Sequence, residues 1–285
     1  MHVRGTDADA GSLAERVRAG DRRALARAIT AVENETGAAR DVRAALAPYL
    51  GRARRVGVTG PPGAGKSTLV NALVKELLAR GQRVAVVAVD PSSPFTGGAV
   101  LGDRIRMAET QADERVFIRS LAARGHLGGL TRSAGAVLDV LDAAGFDTVI
   151  VETVGAGQSE VEVAGVADPC VVICPPGLGD DVQAMKAGIL EIADLFVVNK
   201  ADLPGADRTE RELHAMLALR GRGPKPPVLR TVATSGEGVA ALAEAIEKRQ
   251  AQGARVMSKQ APGELAAPTL PGKPACSRIK LRGKA

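Results

Sequence analysis

Residues 60–67 read Gly60-Pro61-Pro62-Gly63-Ala64-Gly65-Lys66-Ser67 and follow the apolar run Val56-Gly57-Val58. Spaced this way, with a strand before and a helix after, they form a phosphate-binding loop. Its glycines let backbone N–H groups turn inward onto phosphate oxygens. Lys66 carries positive charge toward the β- and γ-phosphates, and the Ser67 hydroxyl is a ligand for Mg²⁺. Thr68 opens a stretch to Arg80 with helical apolar spacing, ended by Gly81, so that a helix N-terminus points at the anion. These residues imply a site for a nucleoside triphosphate.

Three further clusters carry chemistry that a triphosphate needs. Asp90 ends an apolar run and Asp103 closes the glycine-rich stretch after it; two carboxylates so placed reach the Mg²⁺ shell directly or through water. Glu152 ends Val149-Ile150-Val151, the position of an acidic residue that holds Mg²⁺ or its water. Gly155 then allows a backbone N–H to approach the γ-phosphate, and Gln158 is placed to orient an attacking water. The third cluster is Asn199-Lys200-Ala201-Asp202. The Asp202 carboxylate accepts two N–H bonds from guanine that adenine does not offer, while the Lys200 stem covers the base plane. A backbone N–H for guanine O6 is expected from Val232, Ala233 or Thr234. The spacing favours guanine over adenine.

Elements must bring these loops together. Apolar strand-like runs are expected at 55–59, 83–89, 116–120, 148–154, 170–174, 195–199 and 228–233, and helices near 66–80, 131–144, 181–192, 207–219 and 238–249. Runs as continuously apolar as 84–89 suit a sheet covered on both faces. The alternation predicts an α/β fold, a three-layer, doubly wound, mostly parallel sheet, whose ligands sit at the carboxyl ends of the strands. Before it, residues 11–50 read as helices broken near Gly20-Asp21, with a second short helix from Ala39 to about 50. The expected organisation is a helical extension over 1–50, a nucleotide-binding domain over 51–250 and a basic tail over 251–285.

Composition narrows the partners. Aromatic residues make up 2% and apolar residues 45%, so the core is aliphatic. The net charge of +6 belongs to the segment from 251 onward, which holds seven basic residues and one acid, Glu264; the body is balanced. That location argues against a nucleic-acid partner, and the Pro- and Gly-rich tail reads as a solvated arm. No run of about 18 apolar residues spans a membrane, and the first residues lack the apolar segment of a secretory signal. Cys170, Cys174 and Cys276 form neither a disulfide framework nor a metal-ligand pattern, which fits a reducing cytoplasm.

With these residues in hand, the chain resembles the MeaB/ArgK family of GTPases from about Leu13 to Ile246. The likeness rests on Gly20-Asp21-Arg22-Arg23-Ala24-Leu25 with Glu33-Asn34, on 90–107 (Asp-Pro-Ser-Ser-Pro-Phe-Thr-Gly-Gly-Ala-Val-Leu-Gly-Asp-Arg-Ile-Arg-Met), on 152–160 and on 176–186. It implies a P-loop NTPase fold of the SIMIBI type, GTP and GDP as ligands, and Mg²⁺ held in or near Ser67, Asp90, Asp103 and Glu152. It also implies switch segments at 90–107 and 153–163, with a further loop around 177–186 in which Lys186 is the functional cation. The implied partner is an adenosylcobalamin-dependent acyl-CoA mutase such as methylmalonyl-CoA mutase, chaperoned through GTP hydrolysis. No arginine stands out as a finger in cis, so turnover is expected to be slow until the partner completes the site. The family's homodimer uses a helical extension past the last GTPase helix, and the sequence from 251 departs from that pattern. Two rival readings are an ATP-using kinase or transport-associated ATPase, opposed by Asn199 and Asp202, and a metallochaperone GTPase, opposed by the lack of a Cys- or His-rich motif.

Overall fold

The computed structural model describes residues 4–91, 110, 112–123, 129–153, 163–177, 192–219 and 225–257. Three helices come first: α1 (Arg4–Arg18), α2 (Arg22–Glu33) and α3 (Ala39–Leu46). The break between α1 and α2 falls at Gly20 and Asp21, as the sequence predicts. Asp21 caps α2, its carboxylate accepting from the N–H groups of Arg23 (2.8 Å) and Ala24 (3.0 Å). α3 stops earlier than expected and gives way to a 3-10 turn over Ala47–Tyr49. Pro48 has no N–H to continue the α-helical ladder.

A seven-stranded sheet follows, built from β1 (Arg54–Thr59), β2 (Val84–Pro91), β3 (Val116–Ala123), β4 (Thr148–Thr153), β5 (Cys170–Cys174), β6 (Leu195–Asn199) and β7 (Val228–Thr231). Its order is β3-β2-β4-β1-β5-β6-β7, and every pairing is parallel. Among the described residues the helices between strands are α4 (Lys66–Ala79), α5 (Gly129–Ala143) and α6 (Ala206–Leu219), and α7 (Val239–Met257) follows β7. The helix expected near 181–192 lies outside the described residues, apart from its last position.

Side chains on β2 show why both faces are apolar. Ala85, Val87 and Val89 join a core with α2, α3 and α5, whereas Val84 and Val86 join one with α4 and α7. β5 divides the same way, Val172 and Cys174 packing under α6 and Val171 and Ile173 under α4 and α7. The helical extension shares its core with the sheet: Leu25, Ile29 and Val42 pack with Phe117, Val137 and Leu141.

Two polar anchors fix this frame. The Asp142 carboxylate, 1% exposed on α5, accepts from the N–H groups of Gly51 (2.6 Å), Arg52 (3.0 Å) and Ala53 (2.8 Å), pinning the segment that leads from the extension into β1. On the other face Arg80, just past α4, bonds Glu76 (2.9 Å), Glu247 (3.3 Å) and the Ala240 carbonyl (3.2 Å), tying α4 to α7. α7 continues to Met257, past the end expected near 249. Once packing has nucleated a helix, each added residue extends it at little cost, and residues 250–257 are helix formers apart from Gly253. No described helix is long and apolar enough to cross a membrane.

Candidate nucleotide site

Register aligns the carboxyl ends of the central strands. Val58 pairs with Glu152, Val89 with Thr153 and Asn199 with Thr231. The carboxyl ends of β1, β4, β6 and β7 therefore lie along one edge of the sheet.

The phosphate loop leaves β1 after Thr59 and enters α4 at Lys66. Gly65 is the helix N-cap, with φ 86°, a left-handed conformation that favours glycine. A Cβ there would also come within 2.5 Å of the Asn199 amide nitrogen. Pro61, Pro62 and Gly63 form the outer arc of the loop, while Ala64 is buried beneath it. The Lys66 ammonium, 6% exposed, donates to the carbonyls of Gly60 (2.8 Å) and Pro61 (3.0 Å) and so arches over the loop. Its charge lies where the loop and the α4 N-terminus would receive phosphate.

One residue farther, the Ser67 hydroxyl donates to Glu152 Oε1 at 2.7 Å. Both are buried, at 8% and 1% exposure. A hydroxyl and a carboxylate side by side at the mouth of a phosphate loop are the hard oxygen donors that Mg²⁺ takes together with phosphate and water oxygens, so these residues fit the ion. Beside them the hydroxyls of Thr59 and Thr153 bond at 3.1 Å, closing the sheet edge under the loop. Asp90 lies one residue beyond the Val89–Thr153 pairing, at the carboxyl end of β2, with its backbone alone described. Asp103, Gly155, Gln158 and Lys186 lie outside the described residues.

The base-reading turn adjoins the loop. Asn199, 1% exposed, donates from its side-chain amide to the Ala64 carbonyl (2.8 Å). Its Oδ1 accepts from Thr231 Oγ1 (3.0 Å) and from the Ala233 N–H (3.3 Å). Asn199 is thus a cross-link between the phosphate loop and the loop after β7. Lys200 follows with φ 59°, and its ammonium donates to the Gly63 carbonyl at 2.9 Å, laying the stem beside Gly65. A cleft of about 250 Å³ opens here, lined by Gly65, Thr68, Lys200, Asp202, Leu203 and Thr234. Val232 and Ala233 complete its wall. The Val232 N–H is turned to the Glu237 carbonyl (3.0 Å), closing the tight 232–237 loop.

The sequence model of the family described as methylmalonyl-CoA mutase-associated GTPase MeaB matches residues 25–261. The chain belongs to this family. Among relatives of this MeaB-family GTPase, a protein named as a GTPase in Pyrococcus abyssi is 53% identical over 243 residues, covering 84% of this chain and 75% of that one. The mouse mitochondrial methylmalonic aciduria type A homolog is 42% identical over 219 residues, covering 75% of this chain and 51% of its own. A solved structure described as an LAO/AO transport system kinase superposes with a TM-score of 0.69 at 32% identity, over 91% of this chain and 84% of that one. The family and the fold make this chain a GTPase of the α/β, P-loop kind.

The structure brings Lys66, Ser67, Glu152, Asn199, Lys200 and Asp202 to one edge. Sequence reasoning missed the link of Asn199 to Ala64, and it missed Asn71, whose Oδ1 accepts from the buried Thr110 at 2.9 Å one helical turn after Ser67. That contact joins residues 39 apart, and no local pattern in the sequence marks it. The thiols of Cys170 and Cys174 are both pushed up to about 12, first by burial. They are small apolar fillers of β5 in this MeaB-family GTPase rather than nucleophiles or ligands.

Proposed function

We propose that this GTPase acts on an adenosylcobalamin-dependent acyl-CoA mutase of the methylmalonyl-CoA mutase type, aiding cofactor loading, protection or reactivation. The observation that carries the nucleotide half is Asn199, which makes the phosphate loop and the base cleft one rigid unit. The mutase half rests on family membership over 25–261.

Within that unit each residue has a task. The loop N–H groups and Lys66 hold the β- and γ-phosphates, and Asp202 reads guanine from the cleft. Ser67 and Glu152, with Asp90 at the end of β2 and Asp103, would hold Mg²⁺, which when bound would offset charge on the phosphates. Gly155 and Gln158 take the roles of γ-phosphate contact and water-orienting residue, and Lys186 that of the cation in the loop facing the partner. The switch segments expected at 90–107 and 153–163 begin at the carboxyl ends of β2 and β4, neighbouring strands in which Ala88 pairs with Glu152 and Val89 with Thr153. A change from GTP to GDP therefore acts first at their roots, which is how nucleotide state reaches a partner surface.

The test is co-purification of the full chain with an adenosylcobalamin-dependent methylmalonyl-CoA mutase in GDP and in a non-hydrolysable GTP analogue, with GTP turnover measured with and without the mutase. A nucleotide-dependent complex and faster turnover are expected. No complex together with unchanged turnover would refute the chaperone reading while leaving the GTPase intact.

A further inference from the structure

The base-reading turn is conformationally demanding. Lys200 stands at φ 59°, left-handed backbone that is disfavoured for a residue with a Cβ. Such a conformation persists where neighbouring contacts determine it. Asp202, two residues on, lines the cleft, so the backbone at Lys200 helps set where its carboxylate points.

Contacts to β7 hold the intervening peptide. The Ala201 N–H donates to the Thr231 carbonyl at 3.0 Å. The Ala201 carbonyl, directly before Asp202, accepts from Arg230 Nη2 at 3.2 Å. The other arm of the same guanidinium, Nη1, donates to Asp207 Oδ1 at 2.6 Å and to Glu210 Oε2 at 3.4 Å in the first turns of α6. Arg230, on β7, thus bonds both the 199–203 turn and the first turns of α6. Its planar fork suits this, because one face is fixed by two carboxylates while the other reaches the carbonyl. Lys200 is clamped from the opposite side by its bond to Gly63.

We propose that Arg230 is a positioning residue for base selectivity: by holding the Ala201 carbonyl it aims the Asp202 carboxylate at the purine edge. The inference rests on the reading of Asp202 as the guanine acceptor. Arg230 itself is not among the residues that line the cleft.

Three nucleotides separate this role from a merely structural one. Guanine offers Asp202 two N–H groups, hypoxanthine offers one, and adenine offers none. In Arg230→Ala, the affinity for GDP should fall about tenfold, that for IDP by less, and that for ADP not at all, the loss expected when one charge-assisted hydrogen bond is removed from a positioned acceptor. In an Asp202→Asn background the same change should leave GDP binding unaltered. Competition against a fluorescent nucleotide reads all three, and thermal unfolding checks that each variant is folded. Equal losses for GDP, IDP and ADP, or no loss for GDP, would overturn the role of Arg230. If Asp202→Asn alone leaves the GDP-to-ADP preference unchanged, the reading of Asp202 fails instead, whatever Arg230 does.

Discussion

The Ser67 hydroxyl and the Glu152 carboxylate meet at 2.7 Å across 85 residues of sequence, joining the first turn of α4 to the end of β4. The bond holds two hard oxygen donors side by side where the phosphate loop opens, and it sets both by burial rather than by side-chain chance. It also fixes Glu152 next to Thr153, the last residue of β4.

Replacing Glu152 by Gln keeps an acceptor for Ser67 but removes the charge that an Mg²⁺ ion needs. GTP turnover at saturating Mg²⁺ should fall by about a hundredfold or more, the scale of losing one charged group that stabilises a phosphoryl transition state. GDP binding in the presence of a chelator should change little, because the phosphate loop and Asp202 are untouched. Turnover assays paired with chelator-phase binding check both; retained turnover would remove Glu152 from the metal site.

Asn199→Ala should act before any nucleotide binds. It deletes the donor to the Ala64 carbonyl and the acceptor for Thr231 and Ala233, leaving buried groups unpaired. The expected cost is about 2–4 kcal/mol in urea unfolding of the nucleotide-free protein. A residue that only met the base would show no such loss, so stability measured without nucleotide separates the cross-link from base reading.

These two pairs also show what is legible in a sequence. Gly60 to Ser67 and Asn199 to Asp202 were readable because each does its chemistry through neighbours a few residues away, and the two-faced burial of β2 was readable from Val and Ala alone. The work of Asn199 was not, since its partner Ala64 is 135 residues off and its amide carries no mark of direction. Arg230 and Asp142 were silent for the same reason. An arginine in a strand and an aspartate in a helix gain meaning only when the turn at Ala201 or the N–H groups of Gly51, Arg52 and Ala53 arrive beside them. The stop at Pro48 was local and could have been placed; the end of α7 was not, since helix propagation carries it past the residues that pack against α4.

Acid should expose the cap of α2. The Asp21 carboxyl is held down to about 2 from an ordinary 3.8, first by the Ala24 N–H and then by the Arg16 side chain. A lowered carboxylate adds stability that is fully present above its unfolded pKa and is lost as pH falls through the folded one. The loss from this group therefore falls between about pH 4 and pH 2. Asp21→Asn, which keeps the capping oxygen but not the charge, should be less stable than the parent above pH 4 and should show a shallower decline across that window. Unfolding midpoints taken between pH 6 and pH 2 give the two slopes, and parallel curves would show that Asp21 contributes nothing through its charge.

Cys170 and Cys174 bound β5, and burial raises both thiols to about 12, with the carboxylates of Asp194 and Asp168 adding to the effect at Cys170. The thiolate is the form that reacts, so at pH 8 only about one in ten thousand of either group is available, against roughly a quarter for an ordinary thiol near 8.5. Alkylation by iodoacetamide should therefore run about three orders of magnitude slower at these two positions in the folded protein, and burial of the sulfurs slows it further. In denaturant both should react at the ordinary rate. Peptide-level mass spectrometry resolves each cysteine, so reaction at Cys276 does not obscure the comparison. Fast labelling of Cys174 in the folded chain would mean that the face of β5 carrying it is not covered by α6, and the packing beside the β5–β6 pairing would have to be redrawn.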